Sequence, residues 1–173
     1  GTAITRAAES ADDSGDAATF NDSEGVLMAE ISALDNDGTR KAITISEGVS
    51  SASSVMLSYE ANFLRGFVFN NNSLQCNFQI LLDVFLFNKC AIKYKENDFS
   101  FYINGFKLGA DTNGTVAPLD RLSFSDGAGT NPFYGKTREV QYFDSALTDA
   151  QLETLTSWTS LQEMITSQLY TNY

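Results

Sequence analysis

Between residues 24 and 143 the chain breaks into ten short runs, and the clusters that separate most of them are rich in Gly, Asn, Asp or Ser. The runs are "EGVLMAEISAL" (24–34), "KAITISEG" (41–48), "SVMLSYE" (54–60), "FLRGFVFN" (63–70), "LQCNFQILL" (74–82), "KCAIKYK" (89–95), "FSFYING" (99–105), "FKLG" (106–109), "RLSF" (121–124) and "GKTREVQYF" (135–143). Their length, aromatic content and frequent turn signals fit strands in an all-β sandwich or jelly roll, not alternating strands and helices.

Alternation assigns the faces. Leu27, Ala29 and Ile31 share one side of the first run, with Met28, Glu30 and Ser32 on the other; Ile43 and Ile45 mark the buried side of the second. In "NDFSFYINGFKLGADTNG" (97–114), Phe99, Phe101 and Ile103 point to the core and Ser100, Tyr102 and Asn104 point out. Asn104-Gly105 then reverses the chain, because both residues accept the left-handed backbone that a tight hairpin needs. Cys90 shares a face with Ile92 and Tyr94 and reads as a small core residue; it and Cys76 are expected as free buried thiols. The character changes near the end. Thr148 and Gln151 have capping-box spacing, which predicts a short helix in 145–158, and Ser160 with Glu163 predicts another in 159–169. Both are expected to pack over one end of the sandwich, with Trp158 as an anchor. The predicted organisation is a loosely packed entry segment (1–23), the sandwich (24–147) and the C-terminal helices (148–173). Gly1 stands where an initiator Met would, with no secretory signal behind it, so a processed or excised form is expected.

Charge narrows the partners. Twenty-two acidic residues against eleven basic give −11, a field that repels phosphate backbones, so no nucleic-acid partner is expected. No apolar run has the length of a membrane span, and no membrane insertion is expected. The chain has no His, which removes imidazole bases, Ser-His-Asp triads and imidazole-ligated zinc. Two Cys do not suffice for a structural zinc site, and "SDGAGTN" (125–131) lacks the Lys-Ser/Thr ending of a phosphate loop.

"NKCAIKYKENDFSFYINGFKLGADTNG", "LDRLSFSDGAG" and "FYGKTREVQYFDSALTDAQLETLT" resemble the concanavalin A-like, laminin-G-like jelly-roll domains of bacteriophage tail and tail-fibre proteins. The early "ITRAAESADDSGDAATFNDSEGVLMAEISAL" is similar to those virion proteins too. The middle, "SLQCNFQILLDVFLF" (73–87), is more hydrophobic than is usual there, and Cys90 replaces an expected aliphatic. The resemblance implies an antiparallel β-sandwich of the concanavalin A-like lectin/glucanase type in a phage virion or otherwise outside the cell, with a carbohydrate or host-surface receptor and other virion proteins as partners.

Some enzymes of this fold class place their acids as Glu-x-Asp-x-x-Glu on one strand, and no segment here reads that way. Glu24 and Glu30 share parity but lie roughly 20 Å apart along a strand, beyond either glycosidase spacing. A polysaccharide-degrading hydrolase or lyase is therefore the alternative, as is a bacterial secreted carbohydrate-binding or adhesion module. Non-catalytic binding through loops held on a rigid sandwich is the leading expectation. Candidate contacts are Asp35, Asn36 and Asp37 in the first loop, and Asn70, Asn71 and Asn72 in the third hairpin. Asp111 and Asn113 follow, then Asp126 and Asn131, with Phe133 and Tyr134 as sugar-stacking rings. Asn, Asp and Gly also suit turns for backbone reasons alone. No cofactor is expected. Related sandwiches often carry Ca²⁺ at a loop rim, and "DNDG" and "DTNG" have suitable oxygens, but no full EF-hand pattern accompanies them.

Overall fold

Each run pairs with its neighbour in space, and ten antiparallel strands result. A computed structural model describes residues 12, 14–159 and 163. The strands are β1 (Glu24–Ala33), β2 (Lys41–Ser46), β3 (Ser54–Glu60), β4 (Phe63–Asn70), β5 (Ser73–Leu81), β6 (Asn88–Lys95), β7 (Phe99–Ile103), β8 (Phe106–Asp111), β9 (Arg121–Ser123) and β10 (Gly135–Phe143). They form two five-stranded sheets, ordered β5-β4-β3-β2-β9 in front and β10-β1-β6-β7-β8 behind. This is an antiparallel jelly-roll sandwich, as the pattern predicts.

Alternation does the sorting. Ile43, Ile45, Val55, Leu57, Leu64 and Val68 of the front sheet meet Leu27, Ala29, Ile31, Ile92, Phe99 and Phe101 of the back sheet in one buried cluster. Burial of each large aliphatic or aromatic side chain is worth about 1.5–3 kcal/mol. Gly66 lets the sheets close on each other, because a Cβ there would lie 3.0 Å from two ring carbons of Phe101. Tyr59 spans the same interior and donates from its hydroxyl to the Ile31 carbonyl at 2.6 Å. Cys76 and Cys90 are free, buried thiols. Of the entry segment, Phe20 is 6% exposed and belongs to the core, while Asp22 accepts from the Leu119 amide at 2.9 Å.

The predicted helix forms as α1 (Asp149–Thr156), with Thr148 and Gln151 closing the capping box. Its position differs from expectation. It lies along the outer face of the back sheet, not over an end, and Leu152 packs on Val26, Met28, Ala91 and Tyr102. The outward side chains of β1 and β6 are apolar at these positions, so that face needs a cover. The second predicted helix lies almost wholly outside the described residues; only Thr159 and Glu163 of it are described.

The antiparallel order gathers loops 34–40, 61–62, 82–87 and 104–105 at one end, here the upper, and 47–53, 71–72, 96–98 and 112–120 at the lower. Asn104 (φ 51°) and Gly105 (φ 87°) make the expected left-handed hairpin turn.

Candidate functional site

The outward residues of the front sheet bring two cations, a carboxylate and aromatic rings together. Phe63, Arg65, Phe67 and Phe69 alternate with the core residues of β4 and so point out. The turn at 61–62 sets Glu60 opposite Phe63 and Ser58 opposite Arg65 in the ladder. Arg40, just before β2, reaches the same place: its Nε and Nη2 donate to Glu60 Oε2 at 3.1 and 3.0 Å. Arg65 Nη1 donates to that same oxygen at 3.0 Å. The Arg40 guanidinium lies 5.1 Å from the Phe67 ring centre, and that of Arg65 lies 5.4 Å from Phe63 and 5.9 Å from Phe67.

Two guanidiniums and one carboxylate leave this cluster with a charge of +1 on a chain of −11. The side chains of Arg40, Glu60 and Arg65 are 32%, 30% and 20% exposed, so solvent and solutes reach them. Capacity remains. Arg65 Nε and Ser58 Oγ are buried without a hydrogen-bond partner, and so is Thr44 Oγ1 on neighbouring β2. Unpaired buried polar atoms are uncommon and call for a reason. Guanidiniums present parallel N–H donors that match a planar carboxylate, which makes an additional anion the chemistry this cluster can accept.

The structure spreads the twelve loop candidates over both ends and one edge. Asp35, Asn36 and Asp37 sit at the upper end, beside the cluster, where Asn36 Nδ2 donates to Asn62 Oδ1 in the β3–β4 turn. Asp37 is already engaged by Thr39 and, at 3.0 Å, by the Lys41 ammonium. The Thr39 hydroxyl and amide, before Lys41, hold its carboxyl well below the ordinary range. Asn70, Asn71 and Asn72 are at the lower end. Asn71 and Asn72 adopt φ of 49° and 64° in a tight turn, and Asn70 donates to Thr115 at 2.8 Å. Asp111 is nearby and accepts from the Asn113 amide at 2.9 Å.

Asp126 is buried and organises its own loop, accepting from the Ala128 and Thr130 amides, the Thr130 hydroxyl and Asn131 Nδ2. The Phe133 ring turns inward and packs against Tyr59 and Phe124. Tyr134 is 54% exposed. The two strand acids are also engaged: Glu24 with Lys95 at 2.7 Å and Glu30 with Arg138 at 2.7 Å. Among the described residues no three Asp, Glu or Cys side chains converge as metal ligands.

Comparison with known proteins bears on the fold. No family model matches the sequence, and no curated protein matches it. Solved structures do. The CBM40 of the Ruminococcus gnavus IT-sialidase, bound to alpha2,3 sialyllactose, superposes with a TM-score of 0.69 at 12% identity, covering 85% of this chain and 94% of that one. The leech intramolecular trans-sialidase, in complex with 2,7-anhydro-Neu5Ac, gives 0.64 at 14% identity over 81% of this chain and 24% of that one. A SAP-like pentraxin from Limulus polyphemus gives 0.61 at 14% identity over 80% and 72%. The chain therefore has the jelly-roll sandwich shared by carbohydrate-binding modules and pentraxins.

Proposed function

We propose that this domain is a non-catalytic module that holds a carboxylated glycan on the outer face of β2, β3 and β4. The cluster of Arg40, Glu60 and Arg65 over Phe67 carries the reading. It offers net positive charge and two partly exposed guanidiniums on an otherwise strongly acidic chain. Sialyllactose, named in the R. gnavus complexes, bears such a carboxylate. Likeness to a module that binds it at matching length supports a carbohydrate partner. Arg40 and Arg65 would meet the carboxylate, and Asp35, Asn36 and Tyr134 at the upper end would border the sugar rings. The lower-end residues Asn70, Asn71, Asn72, Asp111 and Asn113 would lie away from it.

Binding is favoured over hydrolysis because most glycosidases use two carboxylates flanking the bond and sialidases a Tyr nucleophile. The cluster contains one carboxylate, held by both guanidiniums, and no Tyr. The resemblance of the β6–β8 and β10 segments to phage tail domains supports a virion setting, in which the module would serve a tail fibre or receptor-binding protein against a host surface. A glycan array, with and without Ca²⁺, tests the proposal. Retention confined to carboxylated glycans and unchanged by Ca²⁺ is expected, whereas silence on every glycan contradicts it.

A further inference from the structure

The outer face of the front sheet does not end at the cluster. Its ladder rows run on to the edge strand, one from Ser58 through Arg65 to Gln79 and the next from Met56 through Phe67 to Asn77. Cys76, Phe78 and Ile80 turn inward to the core. Asn77 and Gln79 therefore stand on the same outer side as Arg65 and Phe67, and both are exposed. Directly opposite residues of an antiparallel ladder lie about 5 Å apart between Cβ atoms. The two amides are thus one strand away from the cluster, the breadth of a single sugar ring.

On a chain of −11, β5 contains no charged residue. Nothing in that strand repels an anionic glycan, and nothing in it calls for a second carboxylate. Asn is poorly suited to a strand interior, and its presence at 77 serves no protein contact. Among the described residues neither the Asn77 nor the Gln79 amide hydrogen-bonds to the protein. Gln75, on the same strand, behaves otherwise: its Oε1 accepts from the Thr115 amide at 3.0 Å and its Nε2 donates to the Ser73 carbonyl at 2.9 Å. That amide serves the fold; the other two face solvent. A primary amide offers donor and acceptor side by side, which suits the neighbouring hydroxyls of a neutral sugar. β5 is also the last strand of its sheet, so no further strand walls off a glycan lying across it.

We propose that Asn77 and Gln79 form a second subsite, which takes the neutral sugar joined to the carboxylated one and hydrogen-bonds to its hydroxyls. This rests on the binding reading above, with Arg40 and Arg65 on the carboxylate and β5 under the next residue of the glycan. Each amide should tighten binding a few-fold, and the two together about tenfold.

The test titrates the whole chain with sialyllactose and with the methyl glycoside of sialic acid, by calorimetry. Both ligands carry the carboxylated sugar, and only the first carries the neutral ones. Sialyllactose should bind about tenfold tighter. Asn77→Ala combined with Gln79→Ala should bring it down to the affinity of the methyl glycoside; both positions are exposed, so neither change removes a core contact. Equal affinities in the wild type, or an advantage that survives the double substitution, would overturn the subsite and leave the carboxylate site standing. So would an equal loss for both ligands, which would put the two amides on the carboxylated sugar itself. Failure of both ligands to bind the wild type would overturn the carboxylate site and the subsite with it.

Discussion

The two outer faces of the sandwich carry nearly the same ions in different surroundings. In front, Glu60 lies between Arg40 and Arg65; behind, Glu30 lies between Arg138, at 2.7 Å, and Lys89, at 4.0 Å. Front side chains are 20–32% exposed, whereas Glu30 and Lys89 are 6% and 9% exposed. Behind, the surrounding structure completes the set: Lys89 donates to the Ser157 carbonyl at 3.2 Å, pairs with Glu163 at 3.4 Å and lies 4.9 Å from the Trp158 ring. In front, Arg65 Nε stays unpaired. Similar ion pairs thus lock a chain segment in one place and face solvent in the other, and burial decides which.

That contrast breaks most sharply at Glu30. Replacing it with Ala removes the buried carboxylate that Arg138 and Lys89 share, while Lys89 keeps Glu163 and the Ser157 carbonyl, and unfolding in denaturant should become easier by about 1.5–3 kcal/mol. An effect below about 1 kcal/mol would place Glu30 in the same class as the front cluster.

The inner faces, by comparison, behave alike, and alkali probes them. Cys76 in the front sheet and Cys90 in the back are both pushed up to about 12, chiefly by burial. Their ordinary value is 9.0, so between about pH 9 and 12 the unfolded chain releases protons that the folded chain keeps. Stability therefore falls as pH rises through that window, by up to about 1.4 kcal/mol per pH unit for each thiol. Chemical denaturation from pH 8 to 11 measures it, and Cys90→Ala should flatten the slope. A stability that rises with pH would contradict the burial of both thiols.

The smallest stability effect belongs to Glu60→Ala. Exposed ion pairs are worth about 0–1 kcal/mol, so folding should barely respond. Affinity for an anionic glycan should instead rise a few-fold, because the cluster's charge goes from +1 to +2. A weaker complex would make Glu60 a direct ligand contact.

Short runs bounded by turn signals made the ten strands readable from residues, period-two alternation assigned the faces of several, and the Thr148–Gln151 spacing made α1 readable. The place where α1 docks was not legible in the helix itself. The signal lay in Val26, Met28 and Ala91, apolar residues on the outward sides of β1 and β6. The front-face cluster was harder. The candidate loops are rich in Asn and Asp, but Asn71, Asn72 and Asn131 have positive φ and serve the backbone, and Asp126 serves its own loop. Turn chemistry and ligand chemistry use the same residue types, so composition does not separate them. Arg40 and Arg65 are far apart in sequence and meet only when β2 and β4 flank β3. A partial signal existed: the short β3–β4 connection places outward Glu60 near outward Arg65.

The most direct measurement is a calorimetric titration of the intact chain with sialyllactose and with lactose. Only sialyllactose should bind, and Arg65→Ala should weaken it at least tenfold while unfolding shifts by about 1 kcal/mol or less. Equal binding of both sugars, or an Arg65→Ala chain that binds sialyllactose as well as the wild type, would contradict the assignment of the front-face cluster as the ligand site.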